Sequence, residues 1–174
     1  RNKLTPAASL ALLDTALLDC LALAPEDVMC RTLAVQALWV RADWQAAQHL
    51  PFGQTLTAAL AKARLAVGSP EISPDAWQTL AETQLRIAQS TQAGKARTLH
   101  INDGLAALQK LFSINPNHAL GLITQGQLLL LRAQGEQVPS QKRQLAADAA
   151  ASLERALQRE PFLGYLSRRL TKIR

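Results

Sequence analysis

Two cysteines, three histidines and thirteen carboxylates are the side chains of this sequence with reactive potential. Their spacing decides what they can do. Cys20 and Cys30 lie on either side of Pro25. If each sits on a helix, the two helices are antiparallel neighbours and the sulfurs can meet. Buried free thiols are the commoner state in a cytosolic protein, so the pair reads as two thiols, with a disulfide left open. His49, His100 and His118 are scattered, two in or beside loops and one in a proline turn. His100 and Asp103, three residues apart, could share a metal ion. The plainer reading puts Asp103 in a first helical turn, near the positive helix end, with His100 in solvent. Glu82 and Arg86 have the spacing of a modest surface ion pair. Thr5, Ser69, Ser73 and Ser90 read as helix caps. Gly-x-Ser-x-Gly, His-Glu-x-x-His and Cys-x-x-Cys are absent, as are a Gly-rich phosphate loop, His-Arg-Asp and Asp-Phe-Gly. No catalytic, cofactor-binding or metal-binding residue is therefore expected, and the chain does not read as an enzyme.

The elements that position these residues follow from composition and punctuation. Of 174 residues, 32 are Leu and 31 are Ala, against 4% aromatics. Such a balance favours helix and disfavours an all-β fold. A hydrophobic fraction of 48% argues against disorder. No apolar run approaches the roughly 18 residues of a membrane span. Four of the eight prolines, Pro25, Pro70, Pro116 and Pro161, recur at spacings of 45, 46 and 45. Each closes a stretch with apolar residues in helical steps: Leu10–Leu23, Leu56–Val67, Leu105–Ile114 and Leu145–Leu157. After each of the first three prolines a second helix is expected, running to about Ala42, Gln89 and Ala133. Polar connections of roughly ten residues then follow at 43–54, 90–100 and 134–144. A short last helix is expected from about Leu163. One helical hairpin cannot bury both faces, but stacked hairpins bury a continuous core. The expectation is a single all-α domain over 1–174, a right-handed solenoid of stacked antiparallel hairpins. Because it starts at Arg, the chain is also expected to be a fragment of a longer protein.

Asn115, Pro116, Asn117, His118 and Ala119 lead into Leu122, Gly126 and Leu129, a large–small–large pattern in steps of four and three. Ala149, Leu153 and Ala156 then give small–large–small, with Pro161 five residues on. These positions resemble the tetratricopeptide repeat. Trp77, Leu80 and Ala81 fit its large, large and small positions in the preceding unit; Gly104, Leu108 and Leu111 keep part of its pattern. The usual repeat is about 34 residues, and this period exceeds it by about eleven. Long repeats of this kind, rich in Ala and Leu, are similar to the repeat regions that follow the kinase domain in some bacterial serine/threonine protein kinases.

That resemblance implies a cytoplasmic, non-catalytic scaffold or regulatory region of a bacterial signalling protein. It implies a concave groove lined by the first helix of each hairpin. Carried over, the groove positions are Met29, Thr32, Gln36 and Trp39, then Gln78, Glu82 and Arg86, then Ile123, Gln127 and Leu131. An extended protein or peptide segment is the implied partner, the parent's own catalytic domain included, with Trp39 as an anchor. Trp39, Ile123 and Leu131 equally suit a core. The long connections form a second candidate surface, made basic by Lys95, Arg97, Lys142 and Arg143. Open solenoid ends allow homo-oligomers. The alternative is a nucleic-acid-binding repeat, suggested by a net charge of +6. The excess lies in Arg1, Lys3, Arg168, Arg169, Lys172 and Arg174, and residues 4–167 are balanced. Nucleic acid is therefore the weaker reading.

Overall fold

A computed structural model of the chain describes residues 6–69, 71 and 73–163. Among the described residues there are seven α-helices and no strand. They are α1 (Pro6–Leu23), α2 (Val28–Ala47), α3 (Gly53–Val67), α4 (Pro74–Ser90), α5 (Lys95–Ile114), α6 (Ala119–Gly135) and α7 (Pro139–Arg159). A 3-10 turn follows at Pro161–Leu163. The all-α class stands. The short helix expected from about Leu163 lies almost wholly outside the described residues.

The proline punctuation sets the helix ends. α1, α3, α5 and α7 stop at Leu23, Val67, Ile114 and Arg159, two or three residues short of the recurring prolines. Proline forces its predecessor out of the helical region, so helices end before it. The connections after α2, α4 and α6 differ from expectation. They span only 48–52, 91–94 and 136–138, and the extra length of each period is mostly helix. α5 starts at Lys95 and α7 at Pro139. Lys, Arg, Gln and Ala are strong helix formers, and Pro139 occupies a first-turn position where no N–H is needed. Lys95, Arg97, Lys142 and Arg143 thus lie on helices and not in basic loops.

The caps are local. The Asp27 carboxylate accepts from the Cys30 amide at 2.7 Å and starts α2. His118 Nδ1 accepts from the Gly121 amide at 3.1 Å and starts α6. Ser73 Oγ accepts from the Ala76 amide at 3.4 Å. Ser69 and Ser90, expected as N-caps, lie at helix C-terminal ends, where the Ser90 hydroxyl donates to the Ile87 carbonyl. Thr5 is outside the described residues. α2 overruns its expected end at Ala42 and closes at His49, which takes a φ of 57°. The His49 and Leu50 amides donate back to the Ala46 and Gln45 carbonyls at 3.0 and 2.8 Å. That is a Schellman closure with histidine where glycine is usual.

The chain divides into two compact units, Arg1–Thr83 and Gln84–Arg174. In the first, α2 packs along α3, with Val35, Trp39, Ala59 and Ala63 at the seam. Val28 meets Ala66 and Ala76 beside it. α1 rests on α2 through Leu17 against Ala34 and Ala37. In the second, α6 packs along α7, with Leu122, Ile123 and Ala156 buried together and Phe112 and Leu153 against them. Gly126 permits that approach. A Cβ there would fall 2.8 Å from Leu153 Cγ and 3.2 Å from the Ala149 carbonyl oxygen. Two small residues, Gly126 and Ala149, thus face each other where the helices come closest.

Candidate functional site

The expected groove positions separate once the helices are packed. On α2, Thr32 is buried and its hydroxyl donates to the Val28 carbonyl at 2.7 Å. Trp39 is buried against Val35, Ala59 and Ala63, and its indole N–H donates to Thr83 Oγ1 at 3.1 Å. Both belong to the core of the first unit, so Trp39 is not a surface anchor. Met29 and Gln36 are exposed. Gln78 and Glu82 on α4 are half-buried, as is Arg86. On α6, Ile123 is buried against Ala156, while Gln127 and Leu131 are half-buried.

The sequence reading missed two residues on the outer face of α2. Leu33 and Val40 are 44% and 53% exposed, and Met29 is 68% exposed. Met29, Leu33, Gln36 and Val40 follow one another in steps of four, three and four, so they share one helical face. The signal was present, because these steps are as regular as those of Met29, Thr32, Gln36 and Trp39. Hydropathy hid it: a leucine and a valine face outward while a threonine faces inward. Large bodies decide the rotation. Trp39 fills the seam with α3, and Thr32 satisfies its own hydroxyl within the helix, so its burial costs little.

Two clefts flank α2 where α1 rests on it. One, of about 220 Å³, is lined by Ser9, Leu10, Leu13, Val40 and Trp44. The other, of about 160 Å³, is lined by Leu21, Pro25, Arg31, Ala34, Lys62 and Leu65. Arg31 closes the second from one side. Its Nε donates to the Pro25 carbonyl at 2.8 Å, and its Nη1 to the Leu65 carbonyl and Ser69 Oγ at 3.0 and 2.8 Å. A cation at the carbonyl end of α3 is favoured by the helix dipole. Cys20 of α1 and Cys30 of α2 form a disulfide with a Cα–Cα distance of 5.9 Å. The expectation of two free thiols is thereby corrected. Asp27 fixes the first turn of α2, and the short Pro25 turn brings the two cysteines level.

His100 and Asp103 also depart from expectation. Asp103 lies in the third turn of α5, and both side chains meet the buried Gln84 of α4. His100 Nδ1 is 2.8 Å from Gln84 Oε1, and Gln84 Nε2 donates to Asp103 Oδ2 at 3.4 Å. The trio satisfies a buried amide, with the imidazole N–H as donor to its oxygen. Among the described residues no group of three His, Cys, Asp or Glu side chains could hold a metal ion. No described helix is long and apolar enough to cross a membrane.

No protein-family model, no curated protein and no solved structure matches the chain.

Proposed function

We propose that this chain is a non-catalytic interaction module that docks a protein or peptide segment on the outer face of α2. The observation that carries this reading is the exposed row Met29, Leu33 and Val40, with Gln36 among them. Exposed apolar residues aligned on one helical face suit a partner helix or extended segment that buries them, while the amide supplies polar register. The 45-residue proline period and the small-residue crossing at Gly126 and Ala149 support a tetratricopeptide-like solenoid for the array. The resemblance of that array supports a regulatory or scaffold role in a larger, cytoplasmic signalling protein of bacterial type, with a serine/threonine protein kinase as its first candidate parent. The parent's catalytic domain is then one candidate partner.

Selection from a library of random peptides about 16 residues long tests the docking face. Enriched peptides should carry apolar anchors in steps of three and four. They should bind the Met29→Glu/Leu33→Glu variant at least tenfold more weakly, with its helical circular dichroism unchanged. Equal binding to both proteins, or no enrichment at all, rejects the face.

A further inference from the structure

We propose that Cys20 and Cys30 form a thiol–disulfide exchange site whose oxidation state decides whether α1 stays docked on α2. The inference does not depend on the docking face of α2. It rests on how little else holds α1. Between Ala8 and Leu23, Leu17 is the one buried side chain, whereas α2 buries eight. Leu17 and Leu21 pack on two alanines, Ala34 and Ala37, which offer little surface. Among the described residues a further tie is the ion pair of Asp14 with Arg41, whose side chains are 43% and 35% exposed and therefore well screened. Clefts interrupt the seam at both ends, at Leu10 and Leu13 and again at Leu21. The disulfide is the single covalent tie across it. A helix with few buried contacts belongs to the part of a fold that opens locally at low cost.

The two sulfurs are not equivalent. Cys20 is half-buried and lies in the last turns of α1, while Cys30 is buried in the first turn of α2. An incoming thiolate therefore reaches Cys20 Sγ first. A new S–S bond forms there, the Cys20–Cys30 bond breaks, and Cys30 leaves as a thiolate at the positive end of α2, where an anion is favoured. A second reductant thiolate then attacks the mixed disulfide and releases the Cys20 thiolate. The protein disulfide gains two electrons and two protons, and two molecules of a small thiol such as glutathione become one disulfide. Oxidation by a small disulfide reverses each step. With the tie cut, the contacts of Leu17 and Leu21 and the screened ion pair are what the described residues show holding α1 to the Ala34, Ala37 and Arg41 side of α2.

The test uses the whole chain equilibrated in reduced and oxidised glutathione mixtures, then alkylated and weighed by mass spectrometry. Amide hydrogen exchange is followed in parallel. The pair should pass from disulfide to dithiol within the range of the mixtures. Exchange over Pro6–Leu23 should accelerate at least tenfold on reduction and slow again on reoxidation, while α3, α6 and α7 keep their rates. Cys20→Ser and Cys30→Ala should each match the reduced protein in every mixture. The proposal is overturned if α1 exchanges at one rate in both states, or if the disulfide never forms. It is equally overturned if the pair stays oxidised throughout, which makes it a structural link, or if reduction exposes α3, α6 or α7 as well. Because α3 reports on the rest of the first unit and α6 and α7 on the second, a variant that simply unfolds is distinguished from one that frees α1.

Discussion

Thr79 and Thr83 lie one turn apart on α4, both fully buried, yet their hydroxyls have different fates. Thr83 accepts from the Trp39 indole and donates to the Thr79 carbonyl at 2.7 Å, so its hydroxyl is satisfied. Thr79 Oγ1 has no hydrogen-bond partner. A buried polar atom without a partner keeps its desolvation cost, whereas a satisfied one contributes modestly to stability. Valine has the shape of threonine without the hydroxyl and a similar helix propensity, so the two substitutions should have opposite signs. Thr79→Val is expected to stabilise by about 1 kcal/mol, since it removes only the penalty. Thr83→Val should destabilise by about 1–3 kcal/mol, because it removes the hydroxyl that accepts from the buried Trp39 indole. Urea unfolding followed by tryptophan fluorescence measures both, and the same sign for the two changes would refute the hydrogen-bond assignment.

At the scale of the element, the sequence marks the ends of α1, α3, α5 and α7 clearly, because proline acts through backbone sterics alone. It marks the other ends poorly. Gly94, Gly135 and Pro139 read as loop punctuation, yet Gly94 precedes α5, Gly135 is the last residue of α6, and Pro139 is the first of α7. Polar stretches such as 95–100 and 140–144 carry no apolar period, and their helix-forming residues together with the packing of their helices further along make them helical. The same weakness of polarity as a guide concealed the α2 face, where the burial of Thr32 and the exposure of Leu33 are set by Trp39 and its seam. By contrast, Gly126 and Ala149 stand out in the sequence as small members of a helical pattern, and α6 and α7 do approach closely there, because only small side chains permit it. The helical start of α5 is open to direct test at Leu99, which is 58% exposed. Leu99→Pro removes a hydrogen bond to Lys95 and clashes with the preceding turn, and should cost about 3 kcal/mol in thermal or urea unfolding. In a ten-residue loop the same exposed change would be nearly silent, so a loss below about 0.5 kcal/mol would return this segment to loop.

At the scale of the molecule, the division after Thr83 changes what the charge means. Residues 4–83 carry four basic and eight acidic side chains, whereas residues 84–167 carry nine and five. The balance found over 4–167 is therefore the sum of an acidic first part and a basic second part. Phosphate tracking needs cations in a continuous row. On α5, Arg97 instead donates to the Ala88 and Thr91 carbonyls at 3.1 and 2.9 Å, tying down the end of α4. On α7, Lys142 and Arg143 sit in the first turns and Arg155 and Arg159 in the last, with Asp148 and Glu154 between them. Arg86, Lys95, Lys110 and Arg132 are spread over α4, α5 and α6, and Arg168, Arg169, Lys172 and Arg174 lie outside the described residues. Such a distribution attracts polyanions without gripping them. Titration with a single-stranded RNA of mixed sequence should detect binding only at low salt, lost by about 0.15 M, where screening reaches about 8 Å. The slope of log K against log salt reports the phosphates engaged, at about 0.7 per phosphate for a single strand. Three or fewer engaged phosphates are expected from the spaced cations of α7. A slope matching six or more, with binding kept at physiological salt, would favour the nucleic-acid reading over the docking face proposed for α2.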